Sequence, residues 1–207
     1  MNRYRLQYSK TGEIRFTGNL DIQKIFERSF RRAQISISYS QGFHPQAKIV
    51  QASPLPLGFQ GTSELMDIWI EHKLSATLIS VLNKSLPIGL RIKKYQMIIH
   101  NERSLPSRMY ASLYVIEVEK NIHFQSLKNS IELFLSQQEY IIERNNKTLD
   151  IRHMVEKMNA TQKEEKIEIF LQISSLPSKT GRPENILQIL NIDPACTLIT
   201  RTELLYR

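Results

Sequence analysis

The sequence predicts an α+β protein made of two ferredoxin-like halves, each an antiparallel sheet with helices on one face. Two observations lead to this fold class. Period-2 alternation predicts strands, 3.6-residue periodicity predicts helices, and the order strand, helix, strand, strand, helix, strand occurs twice. A polar break at residues 101–109 separates the two series, so we expect one half at residues 1–100 and the other at residues 110–207.

The elements of the first half follow from these periodicities. Tyr4, Leu6 and Tyr8 alternate with polar residues and predict the first strand. Asn19 or Asp21 is expected to cap a helix, because either side chain accepts hydrogen bonds from free first-turn amides. In chain order we predict a strand at residues 3–9, a helix that includes Ala33, strands at 36–40 and 48–52, a strand at 64–71, a helix ended by Pro87 and Gly89, and a strand at 90–99.

The same order recurs in the second half. Apolar residues at every second position from Ile167 to Ile173 predict a strand. Pro183 suits the first position of a helix, where its missing N–H costs nothing. We predict strands at residues 111–119 and 167–173, a helix at 124–134, a hairpin of 140–144 with 148–154 that turns at Asn145 and Asn146, a helix from Pro183, and a strand at 197–206.

Basic charge is concentrated in the first half. Residues 1–100 hold fourteen Lys/Arg and six Asp/Glu, a net charge of +8, whereas residues 101–207 hold fourteen of each. Such asymmetry is typical of a protein of which one half faces a polyanion. Many proteins with a pI near 9.6 bind no polyanion, so a merely solvated surface stays an alternative. The charge favours RNA or another phosphate-rich ligand.

Composition excludes several classes of protein. No apolar run approaches the roughly 18–20 residues of a membrane span, and the N-terminus lacks a signal peptide's apolar segment. Cys196 is the single cysteine, which we expect to be buried, and its isolation agrees with a cytoplasmic protein. The glycines form no nucleotide-binding motif, so we expect no cofactor. Neither do we expect a metal, because no metal-ligand spacing connects His44, His72, His100, His123 and His153.

A basic stripe is expected on the first helix. Lys24, Arg28 and Arg31 stand at i, i+4 and i+7, which places them on one side of a helix. Glu27 is the only acid beside them, so their potential is largely uncompensated. Arg15 and Arg32 would widen the patch, and each phosphate contact would add to affinity and to its salt dependence.

The loop after this helix combines Gly, Pro, His, aromatic and hydroxyl residues between positions 38 and 48. We expect Gln41, His44 and Lys48 to contact a ligand together with the basic stripe. For His44 three interpretations stay open: a general acid/base on RNA, a ligand contact, or a ring packed on Phe43 and bonded to the loop backbone. No second catalytic partner is identifiable, so we predict no catalytic residue.

Short motifs occur along nearly the whole chain. They are Arg-Tyr-Arg-Leu at residues 3–6, Ser-Lys-Thr-Gly at 9–12, Arg-Phe at 15–16, Leu-Asp at 20–21, Tyr-Ser-Gln-Gly-Phe-His-Pro at 39–45, Pro-Leu-Pro-Leu-Gly at 54–58 with Glu64, Arg-Pro-Glu at 182–184 and Arg-Thr-Glu-Leu at 201–204. Together they resemble the radical SAM-linked protein family. Many members have Pro-His-Pro-Lys where this chain has Pro-Gln-Ala-Lys, so a second loop histidine is missing. The motif positions we single out are Ser40, Gly42, Phe43, Pro45, Arg201, Thr202 and Glu203.

The resemblance implies a partner more than an activity. The family is a bacterial domain of unknown function, fused to or encoded beside cobalamin-binding radical SAM proteins. A radical SAM enzyme holds its cluster with three cysteines and this chain has one, so a separate protein would supply the cluster. The resemblance thus implies a non-catalytic accessory protein that binds RNA or another substrate, in RNA modification or processing.

Two alternatives come from other classes. Tandem ferredoxin-like units with a basic helix also resemble metal-independent CRISPR repeat-RNA endonucleases. Those carry a Gly-rich loop near the C-terminus, whereas here only Gly181 lies beyond residue 89. A protein–protein adaptor, whose basic face docks on an acidic enzyme, is the other alternative. Fold does not determine function, so RNA binding and RNA cleavage must be measured.

Overall fold

The computed structural model describes residues 1–99, 102–119, 122–144, 146–164, 166–176 and 179–207, with backbone only at positions 119, 147 and 179. His100, Asn101 of the expected linker and Asn145 of the expected turn lie outside these ranges. Mostly antiparallel strands and α-helices confirm the α+β class. The chain divides into two compact units, Met1–Arg108 and Met109–Arg207.

The first unit contains four strands that form one antiparallel arrangement. Its elements are β1 (Asn2–Lys10), a 3₁₀ turn (Gly12–Phe16), α1 (Asn19–Arg32), β2 (Ile49–Gln51), β3 (Gln60–Ile70), α2 (Ala76–Ser85), β4 (Leu90–Ile98) and α3 (Leu105–Arg108). Strand β3 lies between β1 and β2, and β4 lies on the other side of β1. Strands β1 and β2 are therefore split by β3, although α1 connects them in the chain.

The core of the first unit lies between its sheet and its helices. Alternate residues of β1, including Leu6 and Tyr8, are buried against α1 and α2. Tyr8 meets Phe26 of α1 edge to face, with ring centroids 5.1 Å apart. Each such side chain contributes about 1.5–3 kcal/mol through burial. Because the apolar stripe of α1 is held inward here, its opposite side faces water.

Three predictions for the first unit were wrong in detail. The N-cap of α1 is Gly18, and neither Asn19 nor Asp21 caps this helix. Residues 36–40 form no strand, and only isolated bridges join Ile37 to Ile70 and Tyr39 to Ala47. The chain leaves the sheet at this point to form a loop, so no continuous ladder develops. The break after residue 101 is not a plain linker, because α3 forms there and Leu105 is fully buried.

The second unit has the same succession of strands, with additions. Its elements are β5 (Met109–Glu119), α4 (Phe124–Ser136), β6 (Ile141–Arg144), β7 (Lys147–Asp150), a 3₁₀ turn (Arg152–Met154), β8 (Val155–Gln162), β9 (Lys166–Leu176), β10 (Lys179–Thr180), α5 (Pro183–Ile189), a 3₁₀ turn (Pro194–Cys196) and β11 (Thr197–Tyr206). Strand β9 lies between β5 and β8, and β11 lies on the other side of β5. Strands β6 and β7 form the added hairpin, and β10 pairs with the end of β9.

The exposure of Cys196 and the character of the helices bear on two expectations from composition. Cys196 is exposed in its 3₁₀ turn, so the expectation that it is buried was wrong. The turn starts at Pro194, directly before the last strand, and keeps the thiol at the surface. Among the described helices, none combines the length and the apolar character needed to cross a bilayer.

Candidate functional site

The basic stripe on α1 is exposed as its spacing predicts. Lys24 lies 3.5 Å from Asp21, but both side chains are 64% exposed, so this pair contributes little. Arg28 and Arg31 are exposed and form no ion pair with any residue that the structure describes. Two of the three cations therefore present a positive charge to the solvent without an ion-pair partner in the described part of the chain.

Glu27, a second acid beside the stripe, has a partner in the loop. The Tyr39 hydroxyl donates a hydrogen bond of 2.8 Å to a carboxylate oxygen of Glu27. This bond raises the pKa of Tyr39, partial burial adds to the rise, and the charge of Arg31 acts in the opposite direction. The structure thus joins the helix to the base of the loop, which the sequence did not show. An aromatic residue with a hydroxyl at the loop's start was the only signal for it.

The loop is the tip of a short hairpin with a well-bonded base. The backbone N–H of Ser40 donates to the carbonyl of Gln46 at 2.8 Å, and the N–H of Gln46 donates to the Ser40 hydroxyl at 2.9 Å. One step further from the tip, the N–H of Lys48 donates to the carbonyl of Ser38 at 2.8 Å. These bonds close residues 41–46 into a defined loop, and they give Ser40 a structural role.

All six residues of the loop tip, 41–46, are exposed. Gly42 has φ of +130°, a backbone conformation that L side chains rarely adopt, so this turn requires glycine. Phe43 is 102% exposed, as much as a free side chain. Neither Gln41 nor His44 makes a side-chain hydrogen bond, ion pair or ring contact with a described residue. The packing of His44 on Phe43 considered above is therefore not observed.

The hairpin is attached to the sheet through β3. Ser38 N–H donates to the carbonyl of Trp69 at 2.7 Å, and Trp69 N–H donates to the carbonyl of Lys48 at 3.3 Å. Lys48 is half-buried at this base, whereas His44 is at the tip. The two residues belong to the same hairpin, with different degrees of exposure.

Arg32 has a different environment from the stripe. Its guanidinium donates to the carbonyl of Ser85 at 2.7 Å and to the hydroxyl of Ser29 at 2.8 Å. Ser85 ends α2, and the last carbonyls of a helix lack intrahelical partners and attract cations. Arg32 therefore connects α1 to the C-terminal end of α2.

Arg15 lies before α1, at the end opposite to Arg31. The helix of fourteen residues is about 20 Å long, so these two side chains belong to separate places. The Arg15 guanidinium stacks 4.7 Å from the centroid of Phe16, and its Nε is buried without a hydrogen-bond partner among the described residues. The backbone carbonyl of Arg15 accepts a 3.0 Å bond from the N–H of Gly58. Arg15 therefore lies beside the Pro-Leu-Pro-Leu-Gly segment, to which it is hydrogen-bonded through Gly58.

The later motif residues belong to β11 of the second unit. Arg201 is buried and Glu203 is exposed. The Thr202 hydroxyl donates to the carbonyl of Leu113 at 3.3 Å. These contacts place the motif in the sheet of its own unit.

The arginines of β1 form a network that sequence reasoning missed. Asp67 is fully buried, and it accepts bonds from Arg3 Nε at 3.0 Å and from Arg5 Nε at 2.9 Å. Arg5 also reaches Glu102 at 3.5 Å, and Arg3 lies 5.3 Å from the centroid of Trp69. The alternation of β1 predicts that both arginines lie on the same face of the sheet. Their partner, however, belongs to a strand more than sixty positions further along the chain.

Two open clefts lie away from the basic stripe and the hairpin loop. One of about 800 Å³ in the first unit lies between α2 and β4, and Lys84, Arg91 and Lys93 line it. The other, of about 880 Å³ in the second unit, has Leu113 and Phe170 among its lining residues. No group of three or more His, Cys, Asp or Glu within the described part of the chain is arranged to hold a metal ion.

Comparisons with known proteins place the chain in a family. The model of the family DUF2344, described as an uncharacterized protein conserved in bacteria, matches residues 3–183. A crystal structure of an unknown protein from Galdieria sulphuraria aligns with 99% of this chain and 98% of that chain, at 11% identity and a TM-score of 0.29. That score is too low to indicate a shared fold, and no curated protein matches. The family match covers most of the sequence, including the basic helix and the hairpin loop, and the chain belongs to the DUF2344 family of uncharacterized proteins conserved in bacteria.

Proposed function

We propose that this protein is a non-catalytic RNA-binding accessory protein. One observation carries the proposal: an exposed basic stripe lies beside an exposed polar loop, and Tyr39 of the loop donates a hydrogen bond to Glu27 of the helix. Arg28 and Arg31 are the phosphate contacts, because neither has an acidic partner among the described residues. Within the loop tip, residues 41–46, His44 has no second acid–base side chain beside it, which agrees with binding rather than acid–base catalysis.

The resemblance to the radical SAM-linked family extends the proposal to a partner. A separate radical SAM protein supplies the reactive cluster, and this chain presents the RNA to it in the cytoplasm. The strand order supports a ferredoxin-like interpretation of both units, since β3 splits β1 from β2 and β9 splits β5 from β8. The partner would be identified by isolating the tagged protein from a bacterial lysate and sequencing the RNA and protein that co-purify.

RNA binding is tested by reversing two charges of the stripe. In the Arg28→Glu/Arg31→Glu variant we expect much weaker binding to a fluorescein-labelled RNA, measured by fluorescence anisotropy over a range of salt concentrations. The slope of log K against log salt should flatten by about one unit for each phosphate that the variant no longer binds.

A matched control distinguishes a loss of RNA affinity caused by this surface from one caused by the change in net charge. Arg91 and Lys94 are exposed on β4, where they lie opposite Ser9 and Gln7 of β1 and belong to a different element from the stripe. The Arg91→Glu/Lys94→Glu variant changes net charge by the same amount and should bind nearly as well as the native protein. Equal loss of RNA affinity in both variants would mean that the protein attracts RNA only through its overall positive charge, without a specific binding surface. Full binding by the stripe variant at low salt would overturn the proposal and favour the adaptor alternative.

A further inference from the structure

The ring of Phe43 is the most exposed large apolar side chain of the described residues. It is 102% exposed, and it makes no ring contact, hydrogen bond or cation–π contact with any of them. Burying a Phe side chain stabilises a protein by about 1.5–3 kcal/mol, so this fold gains nothing from the ring. The side chain therefore has no structural role in the chain as described.

The hairpin holds this ring away from the protein surface. Its base is closed by the bonds between Ser40 and Gln46 and between Ser38 and Lys48. Gly42, directly before Phe43, adopts a positive φ that sets the turn of the tip. A side chain presented on a closed loop loses less conformational freedom on binding than one on an open segment.

The surroundings of the ring favour a nucleic acid over a protein partner. The tip contains no acidic residue, and Gln41, His44 and Gln46 supply hydrogen-bond donors and acceptors of the kind that read base edges. No other large apolar side chain among residues 40–46 is present to form a hydrophobic docking patch. Phe43 thus stands alone between polar groups.

The basic stripe lies within reach of the same ligand. Tyr39, bonded to Glu27 of α1, is four residues from Phe43, and four extended residues span at most about 14 Å. A short RNA segment can therefore contact the ring and the arginines together.

We infer that Phe43 stacks on an unpaired base of single-stranded RNA while Arg28 and Arg31 hold the neighbouring phosphates. This inference rests on the proposed function and specifies its substrate class. Bases in a duplex are stacked on one another, so only an unpaired base offers its face to a protruding aromatic ring. Stacking is sequence-tolerant, because every base has such a face.

The experiment compares one RNA of about 12 nucleotides as a single strand and annealed to its complement. In Phe43→Ala we expect affinity for the single strand to fall by about 5- to 100-fold, with little change for the duplex. The salt slope should stay as in the native protein, because Arg28 and Arg31 still bind the phosphates. Phe43→Trp should restore single-strand binding, and its added indole emission should be quenched by the RNA.

Ile88→Ala is the matched control, since Ile88 is 99% exposed in the same unit and its truncation should leave both affinities unchanged. Equal binding by Phe43→Ala and native protein, while the Arg28→Glu/Arg31→Glu variant binds weakly, would overturn the stacking inference alone. Equal decreases in affinity for single strand and duplex would also overturn it. Absence of any RNA binding by the native protein would overturn both proposals.

Discussion

Two sets of arginines in the first unit have opposite environments. Arg3 and Arg5 on β1 converge on one buried carboxylate, Asp67, and their charges are used within the fold. Arg28 and Arg31 on α1 are exposed and have no ion pair among the described residues. Arginine side chains therefore stabilise the fold on β1, whereas on α1 they are available to a ligand. The comparison shows that the role of an arginine in this unit depends on whether the fold places an acidic partner beside it.

The largest expected effect is the loss of the buried carboxylate. Asp67→Asn removes the negative charge between Arg3 and Arg5 and leaves two cations in a buried position. Breaking one partner of such a pair costs about 3–5 kcal/mol of unfolding free energy, measured by urea denaturation. As control, Asp21→Asn removes the exposed Lys24 pair and should cost at most about 1 kcal/mol. Similar losses of stability in both variants would contradict the distinction between the two sets.

A smaller effect is expected at Arg32, which lies on the same helix as the exposed pair. Arg32→Ala removes the bond to the Ser85 carbonyl at the end of α2, so unfolding free energy should fall by about 1–2 kcal/mol. RNA affinity should change little, whereas Arg28→Glu/Arg31→Glu should show the reverse: weak binding, with stability within about 0.5 kcal/mol of native. Weak RNA binding by Arg32→Ala at native stability would move Arg32 into the ligand-binding set.

The smallest effect concerns the link between helix and loop. Tyr39→Phe removes the hydrogen bond to Glu27, which should lower unfolding free energy by about 0.5–1 kcal/mol at pH 8. The pKa of Tyr39 is raised above 10.0 in the folded protein, first by this bond and then by partial burial. A raised pKa contributes stability that is present below the unfolded pKa and is lost as pH rises through the folded value.

The difference in stability between native protein and Tyr39→Phe should therefore shrink above pH 10. Urea denaturation at pH 8 and at pH 10.5 measures it, with Tyr95→Phe as control for another exposed tyrosine of the same unit. A constant difference at both pH values would contradict the role of the Tyr39 bond.

Much of the fold was predictable, because its elements arise from local patterns. The apolar spacing of α1, the alternation of β1 and β9, and Pro183 at the start of α5 each identified an element that the structure contains. The failures occur where tertiary contacts decide. Residues 36–40 have strand-like composition but leave the sheet, and Leu105 turns part of an apparent linker into a buried helical turn.

For the candidate site, too, the local features were predictable from the sequence and the contacts between distant residues were not. The sequence alone determined that Lys24, Arg28 and Arg31 share one side of α1, because i, i+4 and i+7 spacing follows from helix geometry. It also determined the polar, glycine-containing character of the loop. Only the tertiary structure decided which of these cations find partners within the fold. Hydrogen bonds and burial depend on residues distant in the chain: Arg5 meets Asp67 and Arg32 meets Ser85, and no periodicity within a single element encodes those encounters.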